Sequence, residues 1–284
     1  MILIADGGST KTNWCFLDDD GKKMFLNTEG YNPYFVTTGY ITNSLEEKLK
    51  PQINRNNITE IHFYGAGCFP ERSQIVKDAL SQIFQNAQVH IELDLLAAAR
   101  SLLGYNPGFA AILGTGTNTC MYNGEKVIEN IDSLGYILGD EGSGSAIGKK
   151  LLSDFARGYM PEMAQEYFRQ SFNLTKEEIF NNIYSNPLAN RFCASFSQFI
   201  NTNITVEYFH DLVKSSFTDF FKNLVCHYKN YKDFSFNCIG SIGYIFQPIL
   251  KEVVSEFGMH VGNITQSSIE GLVSYHLIRT AITK

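Results

Sequence analysis

The chain has 284 residues, of which 44% are hydrophobic, and a formal net charge of −6. That length allows two lobes, since single cores rarely grow beyond roughly 250 residues. No cluster of Lys and Arg supplies the electrostatic footprint of a nucleic-acid binder, and no apolar run reaches the roughly 18 to 20 residues of a membrane span.

The first line organises the rest. An apolar run opens at Met1, breaks at Asp6-Gly7-Gly8-Ser9-Thr10-Lys11-Thr12, and resumes as Trp14 to Leu17. This predicts a β-hairpin whose tip carries hydroxyl and backbone donors, with glycines that let a ligand approach the backbone. A basic leader is absent ahead of this strand, so a cytoplasmic protein is expected and the Asn-X-Thr triplets at Asn57, Asn173, Asn203 and Asn263 are read as idle. The six cysteines, Cys15, Cys68, Cys120, Cys193, Cys226 and Cys238, have no CxxC spacing and read as buried free thiols.

A turn at Asp18 to Gly21 leads to a third strand from Lys23 to Thr28, then a loop through Asn32-Pro33, and helical spacing from Thr42 to Ile53. Ile61 to Tyr64 reads as a strand ending in Gly65-Ala-Gly67, with a helix starting at Pro70; Val89 to Leu93 reads as a strand feeding a helix from Asp94 to Leu103. After Tyr105 to Gly108 the order begins again: strand Phe109 to Leu113, turn Gly114-Thr-Gly-Thr117, returning strand to Tyr122, turn, strand from Lys126. We read this as a weak internal repeat, carried by element order rather than by identity. An acidic glycine turn, Gly139-Asp140-Glu141-Gly142, opens a helix reaching about Phe155. Residues from Met160 to Tyr231 are mostly helical by periodicity, with breaks near Asn173 and Pro187. Strand Phe234 to Ile239, turn Gly240-Ser-Ile-Gly243, helix Tyr244 to Phe257, strand His260 to Ile264 and helix Ser267 to Ile282 complete the chain.

Gly/Ser/Thr turns point to phosphate, yet GxxxxGK[ST] and GxGxxG are both missing. Gly142 to Lys150 imitates a P-loop with the wrong glycine spacing and a lysine where Ser or Thr should stand, and we treat it as a decoy. Two donor-rich hairpins remain, suited to opposite sides of a triphosphate, with acidic groups left for magnesium and a nucleophile. Asp94 sits at a strand-to-helix junction, where a general base and a helix cap are both reasonable readings. Asp140 and Glu141 share that ambiguity, because acidic residues before a helix suit its dipole.

Taken together, Asp6 to Thr12, Gly114 to Asn118, Gly139 to Ser143 and Gly240 to Gly243 resemble the actin, Hsp70 and sugar kinase superfamily. Within it the chain is similar to the N-acetylglucosamine kinase branch and to the activator ATPases of benzoyl-CoA reductase and 2-hydroxyacyl-CoA dehydratase. The resemblance implies an α/β protein of two ribonuclease-H-like lobes, an actin-like ATPase fold with an ATP cleft. The lobes would span 1–107 and 108–266, with a helical insertion at about 160–231 and a last helix, 267–284, free to return to the first lobe. It further implies ATP and Mg2+ as cofactors, with Asp6, Gly7, Gly8, Ser9, Thr10, Lys11 and Thr12 as the first phosphate hairpin and Asp6 reaching magnesium through water. Gly114, Thr115, Gly116 and Thr117 would form the second, and Gly240, Ser241 and Gly243 would border the adenosine. Asp94 matches the general base, while Asn32, Asp94, Asp140 and Glu141 would contact a sugar.

The expected activity is ATP-dependent phosphorylation of an amino-sugar hydroxyl, on N-acetylglucosamine or a close relative, by a chain free to form a homodimer. The alternative is an activator ATPase coupled to a partner enzyme, against which stands the absence of cysteine in Leu138 to Ser143. A non-catalytic sugar sensor is the third reading, and the intact hairpins and Asp94 weigh against it.

Overall fold

The computed structural model describes residues 1–8, 10–49, 52 and 57–282, without the side chains of 279–282. Strands β1 (Ile2–Gly7), β2 (Lys11–Leu17) and β3 (Lys23–Glu29) form the expected antiparallel meander, with Ile2 opposite Leu17 and Gly7 opposite Thr12. Trp14 is fully buried on this sheet and its Nε1 donates to Thr28 Oγ1 at 3.0 Å, so the indole is accommodated without an orphaned N–H.

Helix α1 (Thr38–Lys48) begins earlier than the spacing from Thr42 indicates. The Thr37 side chain accepts the Tyr40 N–H at 3.3 Å, a cap that recruits Thr38 to Ile41 into the helix. Its anticipated end at Ile53 lies outside the described residues. Strand β4 (Glu60–Gly65) is followed by α2 (Ser73–Ile83), which starts beyond Pro70 because residues 70–72 form a turn. Strand β5 (Gln88–Leu93) runs directly into α3 (Asp94–Leu103). The first sheet has the order β3-β2-β1-β4-β5, with β1, β4 and β5 parallel.

Strands β6 (Pro107–Leu113), β7 (Thr117–Asn123) and β8 (Val127–Glu129) make the second meander. A one-turn helix α4 (Gly135–Leu138) precedes α5 (Gly144–Arg157). The predicted helical stretch is α6 (Glu162–Ser171), α7 (Lys176–Tyr184), α8 (Ala189–Ala194), α9 (Ser197–Thr202) and α10 (Glu207–Asn223), interrupted near Asn173 and Pro187. It is held by phenylalanines: Phe168 is fully buried, 4.4 Å from Phe155 and 5.7 Å from Phe196 between ring centroids.

Strand β9 (Ser235–Ile239), α11 (Ser241–Ile245), α12 (Gln247–Glu256), β10 (His260–Thr265) and α13 (Ile269–Ile282) follow. The second sheet is β10-β9-β6-β7-β8, with β6, β9 and β10 parallel. Matching β1 to β6 and β4 to β9 superposes the two strand orders, so the repeat read from element order is a duplicated topology. The six cysteines are all free and all buried except the half-buried Cys226.

The chain divides into two compact units, one made of Met1–Asn106, Gly124–Lys126 and the segment from Ser268 onward, the other of Pro107–Asn123 and Val127–Ser267. Within the first unit α13 packs on α3, β1 and β2, joining Leu272 and Val273 to Ile4, Cys15 and Ala97. Gly271 lies so close to the Ser101 carbonyl of α3 that a Cβ there would overlap it. Among the described residues no helix is long and apolar enough to cross a membrane.

Candidate active site

In the first unit the parallel strands β1, β4 and β5 end on the same side, and the candidate residues leave from those carboxyl ends, where α/β sheets commonly bind ligands. Asp6 is next to last in β1 and faces Tyr64 across the ladder, while Asp94 directly follows β5. Both carboxylates are half-buried. The pKa of Asp94 is pushed up to about 6, by burial first and then by the negative charge of Asp6; the Leu95 N–H, bonded to Asp94 Oδ1 at 2.9 Å, pulls it back. Burial also raises Asp6, against the side chain and backbone of Ser268. Asp94 is thus not the cap of α3, a place held by Leu93 without a side-chain bond, but its first residue, supporting the adjacent N–H while its carboxyl is tuned toward neutral pH.

The tip of the first hairpin is closed by Gly8 N–H donating to the Lys11 carbonyl at 2.9 Å. Gly7 is needed because a Cβ would come within 2.7 Å of the Phe63 ring. Thr10 and Lys11 are exposed and Thr12 is buried; Ser9 lies outside the described residues. Asn32 is buried beside the β4 loop, with Oδ1 accepting the Tyr34 N–H at 3.0 Å, and a Cβ on Gly67 would overlap that same oxygen. Cys68, at the same loop, has its thiol pushed up to about 12 by burial and by Asp94, so it is inert as a nucleophile.

In the second unit the Gly114 N–H donates to the Gly116 carbonyl at 2.9 Å, making the tip of the second hairpin. That tip is tied to the start of α5: Gly144 N–H donates to Gly114 O at 2.8 Å and Ser145 N–H to Thr115 O at 3.1 Å. Asp140 lies buried under it, with Oδ1 accepting the Thr117 N–H at 3.1 Å. Its backbone holds φ +60, the left-handed region that a non-glycine residue enters at a cost. Burial raises the Asp140 pKa, and the Thr117 N–H, Ser133 and Lys149 counteract it. Glu141 is turned elsewhere, accepting from Asn223 Nδ2 of α10 at 2.8 Å.

Gly240 sits beside the second hairpin, at φ +124, where a Cβ would overlap the Leu113 carbonyl oxygen. The predicted turn Gly240 to Gly243 is instead the entry to α11, with Tyr244 N–H donating to Gly240 O at 3.1 Å. Gly243 belongs inside that helix because a Cβ would meet Cys238 Sγ at 2.6 Å. Lys150, the end of the imitation P-loop, pairs with Asp154 on its own helix at 2.5 Å.

Whether these hairpins suit phosphate is tested by two hydroxyls. Thr12 Oγ1 and Thr117 Oγ1 are buried and have no hydrogen-bond partner among the described residues. They occupy corresponding places, at the start of the returning strand in each unit, opposite Gly7 and Leu113. An orphaned buried hydroxyl costs about 1–3 kcal/mol, which an anion reaching each tip would offset. The like-charged pair Asp6 and Asp94 likewise suits a cation near Asp6. A single carboxylate acting partly through water is a usual arrangement for Mg2+.

Sequence spacing does not single out Ser268, which follows β10 and precedes α13 and lies close enough to Asp6 to lower its pKa, although its buried Oγ has no partner in hydrogen-bond geometry among the described residues. Its only signal was its place at a strand-to-helix junction like that of Asp94.

Neither a protein-family model nor a curated protein sequence matches the chain. Among solved structures, a protein of Porphyromonas gingivalis provisionally named an N-acetylglucosamine kinase is 38% identical over 97% of this chain and 98% of its own, with a TM-score of 0.92. A protein of Chromobacterium violaceum with the same provisional name is 14% identical over 96% and 98%, with a TM-score of 0.66. A ROK family glucokinase of Streptomyces griseus, in complex with glucose and AMPPNP, is 12% identical over 96% and 97%, with a TM-score of 0.54. The last two share the fold.

Proposed function

This chain belongs to the N-acetylglucosamine kinase-like branch of the actin-like sugar kinases, and from that premise we propose that it transfers the γ-phosphoryl group of ATP to a hydroxyl of N-acetylglucosamine or a close amino-sugar relative. The observation that carries this reading is the Asp6 and Asp94 pair at the carboxyl ends of parallel strands, with Asp94 raised to about 6. A base with that pKa is mostly ionised at pH 7 and still accepts a proton readily.

In this reading Asp94 takes the proton of the attacking hydroxyl as its oxygen bonds to the γ-phosphorus and the bond to the β,γ-bridging oxygen breaks, releasing ADP. Asn32, held against Gly67, is suited to hydrogen-bond the sugar. The hairpin of each unit carries N–H and threonine hydroxyl donors suited to phosphate oxygens, and Gly240 and Ser241, rather than the buried Gly243, are suited to border the adenosine. Asp6 would hold magnesium, which when bound would supply neutralisation of phosphate charge. Such a division of labour suits phosphoryl transfer, where positioning and charge stabilisation supply most of the acceleration.

The test is ADP release from ATP and magnesium against a panel of amino sugars, with mass spectrometry of the products. Sugar-dependent release with a product one phosphoryl group heavier supports the kinase. Release indifferent to every sugar would move the weight to the activator ATPase.

A further inference from the structure

Three imidazoles stack in the first unit where α13 meets the sheet, and the phosphoryl chemistry uses none of them. His62 of β4 is 5% exposed and His276 of α13 2%, with ring centroids 3.9 Å apart. His90 of β5, the ladder neighbour of His62, also stacks on it, at 4.9 Å. The Glu60 carboxylate lies 2.9 Å from His62 Nε2 and 3.5 Å from His90 Nε2. The planes of those two rings differ by only 12°, so they share no point near the rings where a metal could be ligated by both. Among the described residues no group is arranged to hold one.

The stack therefore trades in protons, and its hydrogen bonds fix where they sit. Arg100 of α3 only donates. Its Nη1 gives a proton to the Tyr64 oxygen at 2.9 Å, which leaves the phenol proton for His276 Nε2, also at 2.9 Å. His276 is thus docked as a neutral imidazole that accepts through Nε2.

The charges around it leave no room for another cation. Glu60 comes from β4 and Glu92 from β5, where its charge is felt at Arg100; the Arg100 Cζ lies 5.0 Å from the ring centroid of Tyr275, the residue before His276. On β1 the ladder neighbours of His62 and Tyr64 are Ile4 and Asp6, and Glu270 lies in the first turn of α13. The Cys15 thiol of β2, pushed up to about 11 by burial, stays neutral. Glu60 balances one imidazolium and Glu92 balances Arg100. A proton on His276 is balanced by neither: it sets an N–H against the Tyr64 hydroxyl and buries a cation on the His62 ring.

We propose that this stack is a pH-sensitive latch for α13, which stays docked while His276 is neutral and is released when His276 takes a proton. Glu60 and His62 share a strand and keep their pair when the helix leaves, so the change rests on His276. The released helix binds the extra proton, so release grows as pH falls. Ser268, whose carbonyl accepts the Leu272 N–H at the start of α13, leaves Asp6 with it, and acid thereby takes one support from the site.

The experiment is hydrogen exchange of the α13 amides from Ile269 to Leu277, read by mass spectrometry on the full ligand-free chain and corrected for the intrinsic pH dependence of exchange. A free imidazole titrates near about 6.5, so a helix that docks only with His276 neutral should open about tenfold more often at about pH 5.5 than at about pH 7.5. The amides of α10 should not follow. His276→Gln keeps an acceptor for the Tyr64 hydroxyl and cannot titrate, so its α13 protection should be equal at the two pH values. Protection independent of pH in the parent, or a His276→Gln variant that keeps the tenfold change, overturns the latch. Should His276→Gln leave α13 undocked at the higher pH, imidazole NMR spectra of the parent decide. Protonation of His276 in step with loss of protection supports the latch, and protonation with the helix still protected overturns it. No turnover is read, so every outcome is independent of the kinase reading.

Discussion

Replacing Asp94 by Asn separates catalysis from local support of the helix start. The amide oxygen can still accept the Leu95 N–H that Asp94 Oδ1 accepts at 2.9 Å, so the helix start is preserved and only the charge is lost. In the parent the carboxyl pKa is raised from 3.8 to about 6. At about 1.4 kcal/mol for each tenfold in proton affinity, holding the ionised form costs the fold about 3 kcal/mol, reduced to about 1–2 kcal/mol because the side chain is half-buried and solvent screens it. The sign follows from proton counting. Between about pH 4 and 6 the folded chain binds more protons than the unfolded one, so this contribution falls as pH rises through that window and stays lost above it.

Asp94→Asn should thus be more stable than the parent by about 1–2 kcal/mol at pH 7.5 and nearly equal to it at pH 4, measured by urea denaturation. Its turnover should fall about 10²- to 10⁴-fold, the usual worth of a general base, with ATP affinity kept. In the parent, kcat/KM should rise through about pH 6 and level off above it. Parent-like turnover in the variant, or a variant less stable at pH 7.5, would refute the reasoning and leave Asp94 as a first-turn residue of α3 that supports the Leu95 N–H.

Thr12→Val and Thr117→Val remove the orphaned hydroxyls, so the ligand-free protein should keep its Tm or gain up to about 1 kcal/mol, while KM for ATP rises about fivefold. A thermal shift series with and without ATP and magnesium reads both effects, and an unaltered shift would remove the hydroxyls from the phosphate site. Gly67→Ala forces a Cβ into Asn32 Oδ1 at a backbone φ of +76, and calorimetry should find sugar binding weakened at least about tenfold with nucleotide binding kept. Gly271→Ala pushes α13 off Ser101 and should cost about 1–3 kcal/mol in denaturant melts; no loss would mean that the helices can separate freely.

Where the chain could be read directly, one local rule sufficed. The two hairpins show period-two apolar runs broken by Gly and Thr, and both form as β1–β2 and β6–β7. The start of α1 was hidden because Thr37, Thr38 and Gly39 look like loop residues until the Thr37 cap is seen. At Gly240 to Gly243 the glycines argued for a turn. The second is in fact dictated by Cys238 Sγ, a neighbour that local sequence spacing does not reveal. The site divides in the same way. Asp6 could be read as a candidate from the polar turn of the first hairpin and Asp94 from its strand-to-helix junction, whereas the bond from Thr117 N–H to Asp140, the charge felt between Asp6 and Asp94, and the nearness of Ser268 to Asp6 arise only when separate segments fold together.

The duplicated topology explains why these particular residues differ between the units. Both copies place a glycine-bearing hairpin at the end of their first strand and a buried, unpartnered threonine at the start of the second, so the donor-rich tip is the shared inheritance of the strand order. At the end of the fifth strand the copies diverge: β5 delivers a carboxylate, Asp94, into the start of α3, whereas β10 delivers Ser268 into the start of α13, and α13 crosses to the first unit where Ser268 lowers the pKa of Asp6. The end of the fourth strand diverges too, with Gly65-Ala-Gly67 packed against Asn32 in one unit and Gly240 packed against the second hairpin in the other. A fold that repeats its donor-rich turn but gives one copy two like-charged carboxylates has concentrated proton-accepting capacity in that copy. Loss of turnover from Asp94→Asn with ATP binding retained is what such a division predicts.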